Sequence, residues 1–386
     1  MSESLVGAEV QFKMNDKWAL SADAACYQAR AIPKPRAPAQ FCAIRRNSAQ
    51  FGALLRDALT RRRRAVPQLH IELSMPLECI LLQSDVPVEL LDVESNQAVV
   101  SKTPPPDGQS GLLATYRLQE AVNRIELRVR TVEGRYGSLQ AYVWPRISPK
   151  ACRAATYPIK PLSLHTRLLE PVSPLPPLNS LTIKGGFQVA EVHSWVVACL
   201  PEVPAKLQVE EASFTFRNTF LETLLLCEYK QGHATFQSDS VTTLATIKEV
   251  LTKEATARKI QIQISVDVKE ETVASLLTKI DPMLVYQHEL AAKVKLIETL
   301  KEVKMQETDS SFLAPEYQQI LENEGKLQRE LKEQPGYLQF LHGIVTDVYL
   351  DHYKFKGQNV AGNVPKLQRL LSKDYSLERL LKFFSR

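Results

Sequence analysis

With 386 residues, 44% hydrophobic and 24% charged, the chain exceeds what one core organises at about 100–200 residues per domain, and its composition is that of folded rather than disordered protein. The net charge of +5 is concentrated: residues 29–68 hold ten Lys or Arg against the single acid Asp57, so the rest is slightly acidic and offers no broad cationic face for phosphate backbones. Apolar runs such as SWVVACL (194–200) fall far short of the roughly 20 residues that cross a bilayer, and the opening residues lack a basic flank leading into an apolar stretch. The six cysteines stand singly, without CxxC spacing, so a soluble cytosolic protein with reduced thiols is expected.

Residues 1–11 carry no assignable pattern, and residues 12–28 suggest an opening strand and turn at Asn15-Asp16. Residues 29–68, with four prolines and RRRR at 61–64, read as a solvated basic insertion. From Leu69 the signal is β: LHIELSM, ECILLQ, VELLDV, AVVSK, LLATYRL, NRIELRVR and LQAYVWPRI follow one another with turn residues between. Alternation is clearest where Ile125, Leu127 and Val129 share one face while Glu126, Arg128 and Arg130 share the other. An antiparallel sandwich over 12–149, interrupted by the insertion, is expected.

A proline-rich linker (158–177) leads into mixed α/β sequence, taken as an α+β platform over 150–282. Its parts are a strand at 178–184, a helix with the stripe Val192, Trp195, Val196, Cys199 and Leu200, strands at 212–217, 222–230 and 233–237, a helix on Val241, Leu244, Ile247, Val250 and Leu251, a strand at 260–268 and a helix at 270–280. After Asp281-Pro282 the pattern is purely helical. Tyr286, Leu290, Val294, Ile297 and Leu300 recur at helical steps, as do Leu313, Tyr317, Ile320, Leu327 and Leu331, with Glu324 at the one expected apolar position that is polar. This predicts a coiled-coil-like hairpin over 283–334, turned around 307–311 and ended by Pro335-Gly336, then a helical region over 335–386.

The stretches QSDVPVELLDV (83–93), LLATYR (112–117), VEGRYGSLQAYVWPRISPKAC (132–152), IKPLSLHTR (159–167), AEVHSWVVACLPEVP (190–204), LTKEATARKI (251–260) and HYKFKGQNV (352–360) resemble the Bardet-Biedl syndrome seven family, in family order. The resemblance runs from about residue 12 to the end and leaves out 29–68, which has no evident counterpart. It implies a γ-adaptin-ear-like β-sandwich, an appendage-type platform and C-terminal helices, corresponding to the C-terminal half of a family that begins with a β-propeller and a coiled coil. It further implies a non-catalytic scaffold or adaptor subunit of the BBSome coat, working in ciliary membrane-protein trafficking and cilium assembly. The partners implied are the other BBSome subunits and, indirectly, membrane-protein cargo and an Arf-like GTPase. The sites implied are cilium, basal body, ciliary membrane (peripherally) and cytoplasm.

Catalytic chemistry finds no motif: the seven histidines form no HExxH or zinc spacing, and there is no GxSxG, Walker A or GxGxxG signature, so neither enzyme activity, cofactor nor metal is expected. RRRR could serve nuclear import or phosphate binding, and nucleic-acid binding through 29–68 is the alternative function, but no aromatic residues interleave with the arginines. Trp195 is weighed as a peptide-binding aromatic against core packing, which its stripe favours. The hairpin seam supplies the candidate partner-binding residues: Leu290, Val294, Ile297, Leu300, Tyr317, Ile320, Leu327 and Leu331.

Overall fold

The structure, a computed structural model, describes residues 10–14, 68–91, 98–103, 111–148, 150–170, 172–205, 207, 210–306, 315–372 and 375–385. Nearly all of the basic segment 29–68 and the hairpin turn at 307–311 lie outside the described residues. The described residues fall into two units, the first running to Arg167 and including Val196–Leu207, the second comprising Leu168–Trp195 and the residues from Gln208 onward.

The first unit is the expected sandwich. Strands β1 (Val10–Met14), β2 (Gln68–Leu73), β3 (Leu77–Ser84), β4 (Val88–Leu91), β5 (Ala98–Thr103), β6 (Leu112–Leu118), β7 (Arg124–Thr131), β8 (Gly137–Pro145) and β9 (Arg153–Ile159) form two antiparallel sheets, ordered β1-β2-β7-β4 and β5-β6-β3-β8-β9. Register places Leu69 opposite Leu127 and Ile71 opposite Ile125 in one sheet, and Leu82 opposite both Ala114 and Ala141 in the other. These side chains join one buried cluster, each large one contributing about 1.5–3 kcal/mol by leaving water. Arg130, expected on the wet face, is instead buried, because Glu89 stands directly opposite on β4 and accepts from its Nε at 2.9 Å. The sandwich also extends past Pro149: β9 pairs with β8 from Arg153 to Ile159, so 153–157, expected in the platform, and 158–159, expected in the linker, belong to this sheet. The short β10 (His165–Leu168) follows, and beyond one further strand comes α1 (Val189–Cys199), of which the residues from Val196 onward belong to this unit. The Lys160 ammonium donates to the carbonyls of Val197 (2.7 Å) and Leu200 (2.9 Å), a cation at the electronegative end of a helix, with burial holding its pKa below that of an ordinary lysine.

In the second unit, strands β11 (Asn179–Gly185), β12 (Glu211–Asn218), β13 (Leu224–Lys230), β14 (His233–Ser238) and β15 (Ile262–Asp267) lie in the order β12-β13-β14-β11-β15, all antiparallel. Gly232, with φ +70°, allows the tight reversal that sets Lys230 against His233. The helices are α2 (Val241–Ala257), α3 (Glu270–Gln306), α4 (Pro315–Glu322), α5 (Glu324–Phe355), α6 (Val364–Ser372) and α7 (Leu377–Phe384). Ser240 caps α2, its Oγ accepting from Thr243 N at 3.4 Å.

Two expected helix boundaries are overturned. α3 runs unbroken through Pro282, and α5 through Pro335-Gly336. Proline removes one backbone hydrogen bond, yet the apolar stripe of α3 continues across Pro282 from Leu276, Leu277 and Ile280 to Met283 and Leu284, all buried, and that burial outweighs the local penalty. The platform, hairpin and C-terminal helical region, expected as distinct domains, also share a core. One cluster takes in Leu221 and Val241, the first half of α3, the second half of α5, and Leu367, Leu371, Leu380 and Phe384 of the last two helices. Tyr375, between α6 and α7, locks this arrangement by donating to Asp281 Oδ1 (2.5 Å) while stacking on His288.

Candidate docking surface of the helical hairpin

The hairpin is built by α3 and α5 with α4 beside them, and its far end has a small cluster of its own. Leu290, Ile297 and Leu327 are buried there, with Val294, Ile320 and Leu331 packed half-buried around them. Leu300 is buried as well. Heptad-like spacing therefore located the seam correctly, but its residues meet each other. Leu290, Ile297, Leu300 and Leu327 are not a free surface. Of the eight candidate residues only Tyr317, 41% exposed, faces solvent substantially, and the exposed apolar residues nearby, Val285 and Met305, are ones the spacing did not select.

Polar groups clamp the two helices. Glu324, the polar residue on the seam, forms an ion pair with Lys301 across the hairpin and accepts from Gln328 Nε2 at 2.9 Å. Tyr286 donates to Glu330 Oε2 at 2.6 Å, and Gln334 donates to the Gln287 carbonyl. Such cross-helix pairs fix register while contributing little net stability where they are wet.

Trp195 is 0% exposed, its ring set edge-on to Phe187 at a centroid distance of 5.9 Å. A peptide cannot reach it, and the peptide-binding role is replaced by core packing, as burial of the whole stripe Val192, Val196, Cys199 and Leu200 requires.

The structure adds polar residues that pattern reading missed. Asn179, fully buried, accepts from Lys269 N (2.8 Å) and Thr272 Oγ1 (3.0 Å) and donates to the Ser238 carbonyl (3.1 Å), tying β11 to the end of β14 and the start of α3. Asp239 accepts from Leu224 N (2.7 Å) and pairs with Lys279 Nζ (2.8 Å). The triplet Ser238-Asp239-Ser240 ahead of an apolar helical run was a readable cap signal; the long-range role of Asn179 left no sequence trace. On α5 the Asp351 carboxyl is pushed up to about 7, first by burial and then by the neighbouring Asp347 and Glu249 charges. Among the described residues no group of three or more His, Cys, Asp or Glu could hold a metal ion, and no helix is long and apolar enough to cross a membrane.

Three family models match in succession: the BBS7 GAE domain over 55–157, the BBS7 platform domain over 165–267 and the BBS7 hairpin over 270–384. The first begins inside the expected insertion and so takes residues 55–68, RRRR included, into the sandwich domain. The third starts where α3 starts and reaches through α7, consistent with the joined core. The chain is similar to a Mus musculus protein described as BBSome complex member BBS7, 48% identical over 319 residues that cover 82% of this chain and 44% of that protein. It is also similar to a Caenorhabditis elegans protein described as BBSome complex member bbs-7, 30% identical over 332 residues, with 82% and 44% covered. The chain thus spans less than half the length of either relative.

Proposed function

The chain belongs to the BBS7 family, and on that premise we propose that it is a non-catalytic scaffold or adaptor subunit of the BBSome, serving ciliary membrane-protein trafficking and cilium assembly. The observation that carries this reading is the succession of GAE, platform and hairpin matches over 55–157, 165–267 and 270–384, together with relatives whose names declare BBSome membership. Its direct partners are the other BBSome subunits; cargo and an Arf-like GTPase are met through the assembly. It resides at the cilium, basal body and ciliary membrane, peripherally, and in the cytoplasm. Three working domains follow the three matched spans. Nothing favours nucleic-acid binding through 29–68, and the GAE-domain match takes in the RRRR cluster.

Within this reading the hairpin docks a partner through what its own seam leaves uncovered: Tyr317, Val285 and Met305, with half-buried Val294, Ile320 and Leu331 at the rim. The test is affinity capture of the tagged chain from ciliated cells followed by mass spectrometry. Recovery of BBSome subunits, reduced by Tyr317→Lys with helical content unchanged, is expected; recovery of none would overturn the assignment.

A further inference from the structure

Charge is segregated in the helical part of the chain. Residues 283–351 carry twelve acids against seven Lys or Arg, whereas residues 352–386 carry eight Lys or Arg against two acids. Within that basic end the last two helices repeat one pattern thirteen residues apart, KLQRLLS at 366–372 and RLLKFFS at 379–385. The structure gives both copies the same orientation. Leu367 and Leu371 of α6, and Leu380 and Phe384 of α7, are buried in the shared core. Lys366 and Arg369, and Arg379 and Lys382, are exposed, one helical turn apart on the opposite side. Leu370 and Phe383 are half-buried in equivalent places, and Ser372 and Ser385 are exposed, each hydroxyl donating to the carbonyl four residues back.

Two further facts fix the character of this face. Among the described residues none of the four cations is in an ion pair, and one acid, Glu378, shares the exposed side of α7. The helices are also held in place: Tyr353 donates to the Phe384 carbonyl at 2.8 Å, and Tyr375 is bound to Asp281. Their apolar sides are already used inside the protein, so neither helix is free to insert into a bilayer. What remains is a fixed, repeated display of long cationic side chains.

We propose that the outward faces of α6 and α7, carrying Lys366, Arg369, Arg379 and Lys382, form a headgroup-contacting surface for an anionic lipid bilayer. A specific acidic protein partner calls for carboxylates matched to individual guanidinium forks; a diffuse anionic sheet asks only for cations within a Debye length of it. The inference rests on the reading of the chain as part of a membrane-apposed coat and names the part of it that meets the membrane.

The purified full chain is mixed with sedimentable phosphatidylserine-rich vesicles and, separately, with neutral phosphatidylcholine vesicles. Binding to the first alone, falling with added salt, is expected. The combined variant Lys366→Gln, Arg369→Gln, Arg379→Gln and Lys382→Gln should bind at least ten-fold more weakly with an unchanged thermal melt. Ser372→Asp with Ser385→Asp, which keeps every cation but adds charge beside them, should weaken binding several-fold. A parallel variant with Arg61, Arg62, Arg63 and Arg64 changed to Gln should lose less than the α6–α7 variant. Equal binding to neutral vesicles overturns the proposal, as does a loss confined to the Arg61–Arg64 variant. Capture of the chain by an immobilised acidic helical peptide, with no vesicle binding, would make the face a protein-docking surface and equally overturn it. No other subunit takes part, so a negative result with BBSome subunits still co-purifying refutes the lipid surface alone.

Discussion

The two ends of the α3–α5 pair use the same helices but bury very different amounts of apolar side chain. At the base, Ile280, Leu284, Leu341, Val345 and Val348 lie in a cluster that reaches into the platform and collects both C-terminal helices. At the tip, among the described residues, a small cluster of three buried and three half-buried side chains, with Leu300 buried as well, holds the pair together, helped by Lys301 with Glu324 and Tyr286 with Glu330. Pro282, Pro335 and Gly336 lie toward the base, so intrinsic helix propensity does not favour that end and the contrast is one of tertiary burial. Local stability should follow it, leaving the tip as the part that opens first.

Leu341→Ala attacks the base and should have the largest effect. A fully buried leucine truncated in a closed core costs about 2–5 kcal/mol, and because the cluster is shared, helical and platform signals should fall together in a thermal melt followed by circular dichroism. Separate transitions would break the claim of one core. Ile297→Ala makes a comparable cavity at the tip, but its cost, about 2 kcal/mol, should stay local. Hydrogen exchange should accelerate around 290–300 and 324–331 while the base stays protected; acceleration of both would erase the distinction.

Asp351 sharpens the comparison through pH, since it lies on α5 at the base. Its pKa of about 7 stands above that of an unfolded aspartate. Between roughly pH 4 and pH 7 the folded state therefore holds a proton that the unfolded state has released. Stability contributed by the protonated form is present at low pH and lost as pH rises through that window. Asp351→Asn should flatten this slope and raise the melting temperature by a few degrees at pH 8, with exchange at the tip unaffected. The smallest effect belongs to Glu324→Leu. Replacing the polar seam residue should stabilise the tip by at most about 1 kcal/mol, because the lost ion pair with Lys301 is partly exposed, and native-state exchange at 290–300 would register it.

Much of this architecture was legible where one physical signal dominated. The strands from β2 to β8 other than β5 announced themselves by alternation because each has a buried face, whereas β5 has no fully buried residue. β9 did not: in RAATYPI only Tyr157 and Ile159 are buried, as befits an edge strand, and the prolines nearby imitated a linker. Pro282 and Pro335 were misleading for the opposite reason, since a local helix breaker was overruled by apolar surface that continued past it. The seam residues were found by spacing, but spacing cannot say whether a stripe meets its own chain or a stranger. Here Leu290, Ile297 and Leu327 meet each other. The Arg130–Glu89 pair and the Asn179 junction depend on register and on residues distant in sequence, which periodicity within one segment does not encode.

The unbroken course of α3 through Pro282 has a mechanical meaning. At 1.5 Å per residue its 37 residues make a rod of about 55 Å, anchored along its first half and lightly braced along its second. A rod held at one end is a lever. A tilt of about ten degrees about Ile280, about 39 Å from the far end, would swing that end through about 7 Å, so small repacking around Ile280 and Leu341 becomes a large displacement there.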